Sequence, residues 1–178
     1  MEDRFRLTIA QLNPILGDLA GNAAKAKAAW DTGRAAGADL VALTEMFLTG
    51  YQTQDLVLKP AFVTAAMQEL TRLAADCADG PALGIGAPHR SGGTLHNAYY
   101  ILHQGRIQAV VLKHHLPNSD VFDEKRVFTA ADVHGPYRIG PIRIGTPICE
   151  DSWHPDVCET LAETGAEILL VPNGSPYH

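Results

Sequence analysis

The sequence predicts an α/β fold, on three observations. Short apolar runs alternate with longer stretches of helical spacing, most runs are bounded by turn-forming residues, and the chain is long and apolar enough to build one packed core. Its 178 residues are 46% apolar and 19% charged, which fits a single globular domain over residues 1–178.

In order, "RFRLTIAQL" alternates Phe5, Leu7 and Ile9 on one side and reads as a strand, ending at the turn-forming "NPILGD". The Ala-rich "LAGNAAKAKAAWDTGRAAGA" reads as a helix, with Asn22 as its cap and Gly37 as its stop. "DLVALTEM" is a second strand, and strand, helix, strand implies largely parallel pairing under helices. "PAFVTAAMQELTRLAADCA" repeats the helical spacing and "PALGIGAPHR" the buried strand, while the glycine-rich "GIGAPHRSGG" reads as a loop that departs from phosphate-binding and dinucleotide patterns. Two hairpins follow, one turning at Gln104-Gly105 and one at Gly140-Pro141, separated by "LPNSDVFDEKRVFTAAD", a long loop with one helical turn. A helix over "PDVCETLAETGA" and, in "EILLVPNGSPYH", a strand running into a loop end the chain, so the native domain is expected to continue past residue 178.

The bulk numbers exclude several functions. A net charge of −6 supplies no basic field for nucleic acid. No run approaches the roughly 18 apolar residues of a membrane span, and no secretory leader is visible. Cys77, Cys149 and Cys158 are an odd number at wide spacing, which argues for a reducing, cytoplasmic compartment. His114 and His115 are adjacent, so on a strand they would point to opposite faces, and no metal site is expected.

Three reactive residues stand where apolar strands end, the place where side chains from separate strands converge. Glu45 follows "DLVALT", Lys113 follows "IQAVVL" and Cys149 follows "RIGTPI". Singly, each has an ordinary reading: a solvated acid, a solvated cation, a small core residue. Together they form a base, a cation and a nucleophile. A free thiol is mostly protonated at neutral pH, so a carboxylate must take its proton as it attacks. The negative charge then arising on a carbonyl oxygen needs a cation and an N–H, which Lys113 and the Glu150 peptide would supply. The acids Glu150 and Asp151 directly behind Cys149 disfavour a thiolate unless their carboxylates turn away.

The segments "LTEMFLTGYQTQDLVL", "LKHHLPNSDVFDEKRVF" and "GTPICEDSW", in this order, resemble the nitrilase superfamily of carbon-nitrogen hydrolases, and most closely the amino-terminal glutaminase domains of bacterial glutamine-dependent NAD synthetases. The resemblance implies an α-β-β-α sandwich, incomplete at its carboxyl end, where strand and helix patterns alone are equally compatible with one doubly wound sheet. It implies the catalytic triad Glu45, Lys113 and Cys149 and hydrolysis of the glutamine amide through a cysteine thioester, without a cofactor. It also implies a substrate pocket with Tyr51, Phe122, Glu150 and Ser175, and Glu124 as a second acid that orients Lys113. Ammonia would pass to a carboxy-terminal synthetase domain, absent here, that uses ATP and Mg to amidate nicotinic acid adenine dinucleotide; a homo-oligomer is implied as well. Ser119 departs from a tyrosine that the family often carries after "LPN". A stand-alone amidase acting on another small amide and an inactive assembly module remain as alternatives.

Overall fold

The computed structural model describes residues 4–119 and 122–174. The first strand, β1 (Leu7–Ile9), leads through a turn into helix α1 (Leu19–Ala35). Asp18, not Asn22, caps that helix: its carboxylate accepts from the Gly21 N–H at 2.9 Å. Asn22 is buried inside the helix, where its amide bonds both backbone groups of Ile15 and the Leu48 carbonyl. The expected cap is thus a clamp between the first turn and the chain leaving the second strand, a role that local spacing does not reveal.

β2 (Leu40–Ala42), a 3₁₀ turn at Gln54–Leu58 and α2 (Pro60–Asp76) follow, with Pro60 at the first helical turn where its missing N–H costs nothing. The next three strands, β3 (Ala82–Ser91), β4 (Thr94–His103) and β5 (Arg106–Leu112), make consecutive hairpins. The "GIGAPHR" stretch is strand, and only Gly92 and Gly93, both at positive φ, form the turn. The first sheet has the order β1-β2-β3-β4-β5, parallel over β1 to β3 and antiparallel from there on. A second sheet holds β6 (Tyr137–Ile139), β7 (Ile142–Gly145) and β8 (Ile168–Leu169), with α3 (Pro155–Glu163) between β7 and β8.

Strand alternation distributes side chains to two cores. Leu83, Ile85 and Ala87 of β3, with Ala98, Tyr100 and Leu102 of β4, pack against Ala26 and Trp30 of α1 and Leu70 and Leu73 of α2. On the opposite face Tyr99 and Ile101 meet Ile139 and Ile144 of the second sheet. The Trp30 indole N–H reaches the Pro81 carbonyl at 2.7 Å and the Tyr99 hydroxyl the Leu43 carbonyl at 2.9 Å, so both large side chains are buried without an orphaned polar group. Beyond the second sheet, Val157 and Leu161 of α3 are buried, and Gly145 of β7 leaves room for Leu161. The layers run helices, sheet, sheet, helix. β1 and β8 stand at edges of their sheets and carry exposed Ile9 and Leu169.

Candidate active site

Four strand exits converge. Glu45 lies three residues past β2, Lys113 one past β5, Cys149 four past β7 and Gly174 five past β8. Glu45, Lys113 and Cys149 are all buried, and the structure brings them together. The Lys113 Nζ stands 2.7 Å from Glu45 Oε1 and 3.0 Å from Glu124 Oε2. Glu45 also accepts from Asn97 Nδ2 at 2.8 Å and, at Oε2, from the Gly174 N–H at 2.9 Å. A carboxylate that receives three donors in this way is held as an acceptor.

Charge sets the state of each group. Burial works to lower the Lys113 pKa, but Glu45 and Glu124 outweigh it and hold the ammonium above its ordinary range. Burial raises Glu124, with Glu45 adding to the rise, and Lys113 opposes it. The Tyr51 phenol, raised by burial and then by Glu45 and Glu124, stays protonated and donates to Glu124 Oε1 at 2.9 Å. The Cys149 thiol is pushed up to about 11, first by burial and then by the negative charge of Glu45; Lys113 and the Gly174 N–H pull it down only in part. Cys149 therefore rests as a thiol at neutral pH.

The acids behind the cysteine turn out to be harmless. Glu150 directs its carboxylate to His154, 3.6 Å away. Asp151 is buried and accepts from the N–H groups of His114 (3.1 Å), His115 (2.6 Å) and Ile148 (3.0 Å). It thus ties the bend after Lys113 to the 3₁₀ turn Cys149–Trp153. That clamp has a burden to carry, because Cys149 sits at φ +51°, a left-handed conformation costly for a residue with a Cβ. The Cys149 N–H donates to the Pro172 carbonyl at 3.0 Å, and Ser152 Oγ to the Cys149 carbonyl at 2.7 Å. Asp151→Ala would strand three backbone donors, two of them in half-buried positions. Each stranded donor costs about 1–3 kcal/mol and the losses overlap, so thermal unfolding should show a destabilisation of at least about 2 kcal/mol.

Two glycines are required by close approach. A Cβ on Gly86 of β3 would strike the Glu45–Met46 backbone, and one on Gly174 would meet the Tyr51 ring and Glu45 Oε2. Gly86 in turn bonds Thr44 and Leu48, so β3 fixes the turn that carries Glu45.

Of the other expected residues, Tyr51 and Phe122 are in ring contact, with centroids 6.1 Å apart. Glu124 is buried at the centre of the network, and Ser119 is exposed. Ser175 lies outside the described residues. Asn97 and Gly174 were not foreseen. Asn97 is in the middle of β4, and the only hint of it is a polar residue inside a buried strand run. A cleft of about 900 Å³ opens over Glu45, Tyr51 and Gly174, bounded by residues 9–14 and 169–173; Cys149 and Lys113 are not on its wall.

The family model described as carbon-nitrogen hydrolase matches residues 6–178. The chain belongs to the carbon-nitrogen hydrolase family. It is 63% identical over 177 residues, 99% of its length, to the glutamine-dependent NAD(+) synthetase of Rhodobacter capsulatus, of which it spans 32%. Among solved structures, the glutamine-dependent NAD+ synthetase of Acinetobacter baumannii superimposes with a TM-score of 0.92 at 29% identity, over 98% of this chain and 33% of that one. An amidase of the nitrilase superfamily from Nesterenkonia AN1 matches with a TM-score of 0.82 at 22% identity, over 95% of this chain and 64% of that one, a likeness of fold. The α-β-β-α sandwich of this carbon-nitrogen hydrolase is therefore the nitrilase fold. The chain spans about a third of the length of the curated synthetases it matches. Among the described residues no helix is long and apolar enough to cross a membrane.

Proposed function

We propose that this chain is the glutaminase part of a glutamine-dependent NAD synthetase, releasing ammonia from the side-chain amide of glutamine. The observation that carries the reading is one buried carboxylate, Glu45, paired with the buried Lys113 at 2.7 Å beside a buried cysteine whose thiol that carboxylate helps keep protonated. The similarity to the Rhodobacter capsulatus synthetase supports glutamine as the amide.

Glu45 takes the thiol proton as Cys149 Sγ attacks the amide carbon. The resulting oxyanion is held by the Lys113 ammonium and the Glu150 N–H, which stands in the opening turn of the 3₁₀ helix where backbone donors lack helical acceptors. Glu45 returns its proton to the nitrogen, the C–N bond breaks, and ammonia leaves a glutamyl thioester on Cys149. Water, deprotonated by Glu45, then attacks the thioester; the sulfur leaves and recovers a proton, and glutamate departs. Glu124 and Asn97 position the reacting groups: Glu124 holds Lys113, and Asn97 keeps Glu45 Oε1 turned toward it. Tyr51, in ring contact with Phe122, would pack on the substrate's methylenes, while the Phe122 main chain would contact the substrate and Ser175 would contact its amino-acid end. In the whole protein the ammonia would pass to a carboxy-terminal synthetase domain that uses ATP and Mg to amidate nicotinic acid adenine dinucleotide, in a homo-oligomer.

Ammonia release from glutamine, compared with release from simple aliphatic amides at equal concentration, tests the substrate. Preference for glutamine supports the proposal; equal or better turnover of aliphatic amides would indicate a stand-alone amidase, and no turnover of either an assembly role.

A further inference from the structure

His114 and His115 do not lie on a strand. They follow the last residue of β5, in a bend, and both rings turn to the same side, where they meet Asp156 at the start of α3. The expectation that neighbouring histidines point apart fails because the chain has left the pleat. The rings stand edge to face with centroids 4.5 Å apart, and the His154 ring packs on His115 at 4.0 Å.

Hydrogen bonding fixes one tautomer. His114 Nδ1 is 2.6 Å from the Ala131 carbonyl, which can only accept, so Nδ1 carries the proton. In the neutral ring Nε2 then presents a lone pair, and it faces the Asp156 carboxylate at 3.8 Å. Two acceptors aimed at one another need a positive charge between them. His115 Nε2 lies 3.0 Å from the same carboxylate, and the three ligand atoms fall within 4.8 Å of one another. Donors on a divalent ion with bonds of about 2.0–2.1 Å stand roughly 3.3 Å apart in a tetrahedron, so small rotations of the His114, His115 and Asp156 side chains, each at least 25% exposed, would bring the set to bonding distance. An Nδ1–H donated to a backbone carbonyl is also the arrangement that orients metal-bound imidazoles.

We infer that His114, His115 and Asp156 form a binding site for a zinc-class divalent ion, outside the Glu45–Lys113–Cys149 centre. Two imidazoles and one carboxylate suit a borderline cation, with water completing the shell. The ion would join the bend that follows Lys113 to α3, next to the link that Asp151 already makes between that bend and the Cys149 turn. Its role is a clamp on the geometry of the site, not a participant in bond breaking.

The test uses chelator-stripped protein titrated with Co2+, read by its ligand-field absorption, and with Zn2+ in competition against a chromogenic chelator. One equivalent should bind, and His114→Gln and Asp156→Asn should each weaken affinity about 10- to 100-fold while circular dichroism is unchanged. His134→Gln, at an exposed histidine elsewhere, should have no effect. Absence of stoichiometric uptake, affinity that survives both substitutions, or affinity lost in Cys158→Ala would overturn the proposal. An imidazolium at His114, seen by NMR without metal uptake, would overturn it equally, because a proton would then be the charge between the two acceptors.

Discussion

Glu45→Gln should reduce ammonia release from glutamine by about 10³- to 10⁴-fold, close to the full value of a positioned general base, while the protein remains folded. The amide is nearly isosteric and can still accept from Lys113, but it cannot take a proton from a thiol that rests near 11. The same substitution has an opposite effect on the thiol itself. Glu45 is the largest influence after burial that raises Cys149, so its removal should move the pH midpoint of alkylation by iodoacetamide below about 11. An enzyme with a more acidic cysteine and almost no turnover would show that Glu45 acts as base and not as a passive neighbour. Turnover in Glu45→Gln close to that of wild type would show that the base role is wrong.

Lys113→Met should be the most damaging substitution to both function and stability. The ammonium is fully buried between Glu45 and Glu124, and its loss leaves two carboxylates in a low-dielectric site with no cation. Removing one partner of a buried pair costs about 3–5 kcal/mol, of which protonation of one carboxylate recovers a part. Stability of the variant should therefore improve as the pH falls toward the carboxylate range, because two neighbouring acids without their cation share a proton more readily than they ionise together. Chemical denaturation of wild type and variant at two pH values measures this; a variant as stable as wild type at neutral pH would show that Lys113 is not the charge holding the network. The Glu124→Gln variant leaves one carboxylate paired with Lys113 and should be milder in both respects.

The meeting of Glu45, Lys113 and Cys149 was legible in the sequence because strand ends are visible in the hydrophobic pattern, and "VALTE", "VVLK" and "IGTPIC" each put one of them within four residues past a strand. The hairpins at Gln104-Gly105 and Gly140-Pro141 were legible for the same local reason, and Gln104 and Gly105 do take positive φ. What was not legible is what depends on contacts between distant segments. Gly86 reads as loop chemistry, yet it is a strand residue that leaves space for the Glu45 backbone. Asn97 bonds Glu45 across 52 positions of sequence and Gly174 across 129, and no period or motif announces either. Asp151 reads as a liability beside the cysteine, but its three backbone donors make it the clamp of the strained turn. The division into two sheets was likewise hidden, since a strand buried on both faces has the same pattern in a sandwich as in a doubly wound sheet.

Mass spectrometry of the intact protein after exposure to a glutamine-like electrophile tests the central claim most directly, that Cys149 is a thiol made nucleophilic by Glu45 only when substrate is in place. One adduct per chain, mapped to Cys149 and lost in Glu45→Gln, is the expected result. Labelling of Cys77 or Cys158 to the same extent, or undiminished labelling of Cys149 without Glu45, would contradict it.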